Sequence, residues 1–457
     1  MSARDRVGID LVERIWARDA TVWTGSDENR WLGWLDEPKR MLERVEEIEA
    51  FVQELWRDGI ADVVLAGMGG SSLAPEVFRR TFGSEQLHVL DTTHPLAIRA
   101  LEARLDLDRT AFVVSSKSGS TLETRSHLDY FWERTGGEGA RFAAVTDPGS
   151  ELEAVAGERG FRAVFAGEPT IGGRYSALSV VGLVPAAVAG VDLTRLLERT
   201  LEMAEACRLD EGNPGLELGE AMGESWREGR DKVLVNPTPD GFGLWVEQLL
   251  AESTGKEGKG LVPVPGEVSE GDDRQEQEVR VSDPYELGQE FYRWEFATAV
   301  AGAIIGINPF DQPNVQEAKD RTKALLDSAD DPELEPEGEP FAGAEPGDYV
   351  AIQAFVEPSE ENEQKLEELA GRASGETGCV VTHGFGPRYL HSTGQLHKGG
   401  PPSGVFLQLV DDTGEELPIP GQSFGFGRLI RAQAAGDYAA LKERGLRVAR
   451  ARWEEIA

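Results

Sequence analysis

A chain of 457 residues, 40% hydrophobic and rich in glycine, is long enough for two or three domains with sizeable cores. Its 82 acidic residues against 46 basic give a net charge of −36, a surface that repels nucleic acid and anionic membranes, so neither is expected as a partner. Only Cys207 and Cys379 are present, the N-terminus is charged, and the longest apolar run (residues 296–307) is too short to cross a bilayer; a soluble protein of the reducing cytoplasm is expected. No Cys/His cluster has zinc-ligand spacing. Ten lysines against 36 arginines, with abundant carboxylates, suit a high-salt interior, which salt-dependent stability measurements would test. Any anionic ligand must be held by local donors against this global field.

In chain order, residues 33–58 carry apolar side chains at helical spacing and predict a covering helix. Residues 61–66 read as a strand, which runs into Gly67-Met68-Gly69-Gly70-Ser71-Ser72 and a helix from about Leu73. As a dinucleotide motif this turn is weak; as one wall of a phosphate or sugar pocket it is more useful. Strand-like segments 86–90, 111–114, 142–145 and 162–165 alternate with helical ones, which indicates a doubly wound parallel sheet with ligands beyond the carboxyl ends of its strands. After 111–114 comes SSKSGSTLET (115–124), a strand turning through small hydroxyl residues into a helix start. Unpaired backbone N–H groups, the helix dipole and the hydroxyls of Ser116, Ser118, Ser120 and Thr121 suit a phosphate there, with Gly119 permitting close approach. The plainer alternative is a serine-rich turn closed by a capping box from Ser120 to Glu123.

Arg174 follows two glycines and precedes an apolar segment (177–189), so substrate contact is favoured over a structural ion pair. Residues 192–229 read as helical and bridge to a second unit. There, a strand (232–236) leads into an amphipathic helix (241–256) that carries Glu252 near its end; a solvated charge is the commoner fate of a glutamate. Residues 265–283 read as an exposed acidic loop, 285–307 as an apolar helix, and 308–319 as a proline-opened helix start. Residues 328–348 have linker composition. Strands are expected at 350–356, 378–382 and 405–410, a helix at 359–373 and a helix pair over 424–445. The alternation before and after residue 210 suggests two related units, residues 1–208 and 209–457.

GMGGSS (67–72), SSKSGSTLET (115–124) and GGRYS (172–176), continued by AESTGK (251–256) and INPFDQPNVQEAK (307–319), together resemble phosphoglucose isomerase of the sugar-isomerase (SIS) superfamily. GMGGSSLAPEVF with GPRYLHSTGQLHKGG (386–400) looks most like the isomerase half of transaldolase/glucose-6-phosphate isomerase fusions, standing alone. The resemblance implies an α/β chain of two SIS-type doubly wound domains with mostly parallel sheets flanked by helices. It implies interconversion of glucose 6-phosphate and fructose 6-phosphate through a cis-enediol, without metal or cofactor, in a homodimer. Gly70, Ser71, Ser116, Lys117 (through its backbone), Ser118, Ser120, Thr121 and Thr124 match the phosphate-binding positions. Glu252 matches the base, Arg174 the fixed cation near the enediolate, and Gln312 and Lys319 the pair near the sugar ring.

One departure concerns the histidine that opens the ring. Most members carry it in a GQH segment soon after the glutamate, but residues 253–307 contain no histidine. The TGQ-x-H of residues 393–397 resembles the missing segment, which favours His397, with His391 second. Two other functions compete: a relaxed isomerase that also accepts mannose 6-phosphate, and a non-catalytic sugar-phosphate sensor. The joint presence of Glu252, Arg174, Gln312 and Lys319 weighs against the sensor.

Overall fold

The computed structural model describes residues 10–237, 241–267, 269–314 and 316–456, and for residues 316–318 the backbone alone. In the first half, β1 (Asp62–Gly67), β2 (Leu87–Leu90), β3 (Thr110–Ser115), β4 (Phe142–Thr146) and β5 (Ala163–Ala166) form one parallel sheet in the order β2-β1-β3-β4-β5. Strands β1 and β3 are continuous apolar runs because helices cover both faces of the sheet. Their ends lie side by side, with Gly67 opposite Ser115.

The second half holds two sheets. Strands β6 (Lys232–Val235), β7 (Val262–Pro265) and β8 (Arg274–Gln277) are ordered β7-β6-β8. Strands β9 (Tyr349–Phe355), β10 (Val380–Phe385), β11 (Gly404–Val410) and β12 (Arg447–Arg452) are ordered β10-β9-β11-β12. Leu234, Val262, Tyr349, Val380 and Phe406 share one apolar cluster that joins the two. Every pairing between named strands is parallel, and in each sheet the first strand lies between the second and third. The α/β class with parallel sheets flanked by helices is therefore as expected.

The helix Leu287–Ile305 is buried on all sides, so its sequence shows no polar stripe. It packs against the helices Pro214–Arg227 and Leu193–Ala206. It carries one internal ion pair: Arg293 Nε and Nη2 bond the Glu290 carboxylate at 2.7 and 2.6 Å. Among the described residues no helix is long and apolar enough to cross a membrane.

Four elements differ from the sequence expectation. The segment 33–58 is broken into a short turn (Gly33–Leu35) and the helices Glu37–Leu42 and Val45–Arg57. The acidic stretch 265–283 contains β8, an edge strand of the β6 sheet, rather than loop alone. Its sequence, RQEQ, has no apolar alternation to reveal it; Gln275 turns inward and donates to Met222 O and Arg230 O at 3.3 and 2.7 Å. Residues 424–445 hold one helix, Phe426–Glu443, not a pair. Pro313 and Asn314 precede rather than open the next helix, described as Gln316–Asp327, and Val315 of the INPFDQPNVQEAK motif lies outside the described residues.

Candidate active site

Strand order reverses between β1 and β3, the point in such sheets where a crevice opens beyond the carboxyl ends. Both glycine/hydroxyl turns leave the sheet there. In the turn after β3, Ser116 Oγ lies 3.1 Å from Thr121 Oγ1 and accepts from Gly119 N at 3.1 Å. Ser118 Oγ and Ser120 Oγ are 2.9 Å apart. Thr146 Oγ1 donates to Ser116 O at 2.7 Å and pins the turn from beneath. The alternative of a capping box from Ser120 to Glu123 is absent: Thr121 is the N-cap of the helix Leu122–Arg134, and no side chain caps it. Gly119 (φ +72°) is required for a reason other than ligand approach, since a Cβ there would sit 2.3 Å from Leu152 N.

Lys117 sends its ammonium away from the crevice, to Asp147 Oδ2 at 2.5 Å and Pro169 O at 3.2 Å, which leaves only its backbone to serve an anion. Thr124 is buried one turn into the helix with its hydroxyl unpartnered. The turn after β1 abuts the Arg174 loop so closely that a Cβ on Gly70 would lie 2.0 Å from Gly173 O. Ser71 stands beside it, half-buried.

Arg174 is 2% exposed yet carries a full set of partners. Its Nε donates to Ser253 Oγ at 2.7 Å, Nη1 to Gln312 Oε1 at 3.0 Å, and Nη2 to Pro309 O and Asp311 O at 2.8 and 3.0 Å. Nη1 also lies 3.5 Å from Glu252 Oε1. The glutamate is thus held at the end of the helix Phe242–Thr254 rather than released to solvent. Lys256, equally buried, donates to Asn308 O, Asp311 O and Asp311 Oδ1, each at 2.6 Å, and so fixes the loop that carries Gln312. Burial, with Arg174 nearby, pushes its ammonium down to about 8.

Gln248, one turn before Glu252, bridges two parts of the site: its Nε2 donates to Glu252 Oε2 at 3.0 Å and to His391 O at 2.8 Å. The His391 ring turns to the serine turn's helix, with Nε2 2.9 Å from Glu123 Oε1. Burial alone would raise the Glu123 carboxyl, but His391, with Lys319 further off, holds it down at about 2, so it is an anion at neutral pH. Gln395 bolts the His391 segment in place: Nε2 donates to Gly255 O and Asn314 Oδ1 at 2.8 Å, and Oε1 accepts from Asn314 N at 2.8 Å.

A cavity of about 530 Å³ opens above the serine turn. Ser118, Ser120, Thr121, Glu123, Lys319 and His391 line it. Glu252, Arg174 and Gln312 form the cluster joined to it through Gln248. His397 stands elsewhere. It is buried among Tyr349, Tyr389 and Phe406, with Nδ1 3.1 Å from Gln353 Nε2 and Nε2 unpartnered. Burial, with Lys398 beside it, pushes its imidazole down to about 3, which makes it a neutral core group. Of the two histidines, His391 lines the cavity and His397 does not. Gln248 and Gln395 carry no role in the sequence reading, and Glu123 enters it only as the closing residue of a capping box.

Residues 35–208 match the family model for phosphoglucose isomerase. The glucose-6-phosphate isomerase of Trichormus variabilis is 33% identical over 266 residues, 50% of this chain and 50% of that protein. That of Gloeothece citriformis is 34% identical over 270 residues, again 50% of each. The chain spans about half the length of the curated relatives it matches. A crystal structure of a glucose-6-phosphate isomerase from Chlamydia trachomatis superposes with a TM-score of 0.57 at 17% identity, over 71% of this chain and 84% of that one, a likeness of fold.

Proposed function

We propose, on the premise that residues 35–208 form a phosphoglucose isomerase family domain, that the protein interconverts glucose 6-phosphate and fructose 6-phosphate by proton transfer through a cis-enediol. The hydroxyls of Ser116, Ser118, Ser120 and Thr121, with the backbone of Lys117 and the adjoining Gly70–Ser71 turn, hold the phosphate dianion at a helix mouth. His391, backed by the Glu123 anion, handles the ring oxygens with Lys319 of the same cavity lining. Glu252 then carries the proton between C2 and C1. Arg174, fixed by four hydrogen bonds before substrate arrives, faces the charge that develops on the enediolate. His397 and the buried Thr124 hydroxyl have no part in this reading.

The observation that carries the proposal is the unbroken path from Arg174 through Glu252, Gln248 and His391 to Glu123, which ties a carboxylate base and a buried cation to the hydroxyl-lined turn. Every group on it comes from one chain. The test is a coupled assay in both directions with wild type and Glu252→Gln. Turnover should fall by about 10²- to 10⁴-fold in the variant while affinity for a sugar-phosphate inhibitor survives. A wild-type protein without turnover that still binds sugar phosphate would instead be a sensor.

A further inference from the structure

The helix Phe426–Glu443 contributes one residue to the cavity lining, and the reaction above gives that helix no task. Gln433 on that helix is 3% exposed and lines the cavity. Its Nε2 donates to Glu123 Oε1 at 2.7 Å, the same oxygen that His391 Nε2 reaches at 2.9 Å. Its Oε1 accepts from Thr93 Oγ1 at 2.7 Å. An ionised carboxylate can only accept, so the amide nitrogen must face Glu123 and the amide oxygen must face Thr93. Thr93 is fully buried, which gives the amide a fixed anchor.

The consequence falls on Glu123. Lys319, on the same cavity, attracts this carboxylate as well. Without the Gln433 donor, the Glu123 carboxylate is free to turn toward that lysine and release the histidine. The hydrogen bond at one imidazole nitrogen sets both the tautomer and the direction of the other. With Nε2 spent on Glu123, His391 presents Nδ1.

We propose that Gln433, anchored by Thr93, is a positioning residue that holds Glu123 so that His391 Nδ1 is aimed at the sugar ring for ring opening. This rests on the isomerase reading of the site. Ring opening breaks the C1–O5 bond: the O1 proton passes to Nδ1, the O–H electron pair becomes the C1=O1 double bond, and the C1–O5 pair leaves on O5. His391 then returns the proton to O5, so no co-reactant is consumed.

The test compares Gln433→Leu and Thr93→Val with wild type, using glucose 6-phosphate with hydrogen or deuterium at C2. Gln433→Leu should lower kcat by about 10- to 100-fold, as outer partners of oriented histidines do, and Thr93→Val by less. In both, the primary isotope effect should fall below the wild-type value, because ring opening, which is blind to the C2 isotope, becomes limiting. An unchanged kcat, or a lowered kcat with an unchanged or larger isotope effect, would overturn the proposal. Should Gln433→Leu fail to fold, Thr93→Val decides by the same readout. Should wild type show no turnover, the isomerase reading fails by itself. The positioning of His391 is then judged from its imidazole N–H proton in NMR, assigned by its loss in His391→Asn. Faster solvent exchange of that proton in Gln433→Leu supports positioning; unchanged exchange refutes it.

Discussion

Gly70→Ala is the sharpest perturbation of the site that leaves every polar group in place. A Cβ added at Gly70 would lie 2.0 Å from Gly173 O and 2.4 Å from Gly173 C, whereas real Cβ contacts stay beyond 3.0 Å. Both obstacles are backbone, so the two loops must part by roughly 1 Å, a displacement that can cost about 10²-fold in rate when it moves a positioned group. The neighbour that moves is Arg174, whose bonds of 2.7–3.0 Å to Ser253, Gln312, Pro309 and Asp311 have little slack before they fail as hydrogen bonds. Overpacking of this kind also lowers stability by about 1–3 kcal/mol. We expect kcat/KM to drop by about 10²-fold and the melting temperature to fall, read by coupled assay and thermal unfolding. Gly172→Ala, in the same loop but with nothing within 4 Å of its Cβ position and an ordinary extended backbone, should leave both near wild type. A Gly70→Ala variant with unaltered kcat/KM would refute the coupling of the two loops through Arg174.

Three further outcomes follow from the geometry. Thr121→Val and Ser116→Ala should weaken binding of inorganic phosphate in calorimetry, whereas Lys117→Met should leave it near wild type, because that ammonium is spent on Asp147 and Pro169. His391→Asn should cut turnover by about 10²- to 10⁴-fold, while His397→Asn should lower the melting temperature and largely spare kcat. Burial pushes the Glu247 carboxyl up to about 8 from 4.5. The folded protein then binds more protons than the unfolded chain between those values, so this group makes stability fall as pH rises across that window. Melting temperatures measured from pH 4.5 to 8 should therefore decline less in Glu247→Gln than in wild type.

The first sheet was legible because its central strands β1, β3 and β4 are buried on both faces and end in punctuated turns; all three lie within a residue of their expected bounds. The candidate site loops were legible too, since Ser116, Thr121 and Glu252 stand at or near a strand or helix end and Arg174 follows a pair of glycines. What escaped was whatever depends on distant pairing. Strand β8 is polar and short, held by a parallel neighbour and by Gln275's side-chain bonds, and neither leaves a periodic trace. The choice between His391 and His397 turned on motif wording alone. Six residues apart, they differ in environment by a cavity on one side and three aromatic rings on the other, and only tertiary packing decides that. Gln433 lies 310 residues from the carboxylate it grips, beyond the reach of local pattern.

The repeated strand order explains why the cavity forms where it does. The β10-β9-β11-β12 sheet has its own reversal between β9 and β11, whose ends, Phe355 and Val410, are paired. By the same rule a second crevice should open there, but it is filled. Asp411 accepts from Glu357 N at 3.0 Å with one oxygen and meets the buried His94 Nε2 at 3.0 Å with the other. Beside it, Arg388 bonds both oxygens of Asp91 at 2.8 Å. Asp91 and His94 follow β2, so the exit of one sheet plugs the mouth of the other. Docked this way, the C-terminal sheet delivers its connections, with His391 after β10 and Gln433 after β11, over the still-open β1/β3 crevice. The reversal point between β9 and β11 thereby serves as a joint while the one between β1 and β3 stays open, and His391 reaches that crevice from the sheet the joint holds in place.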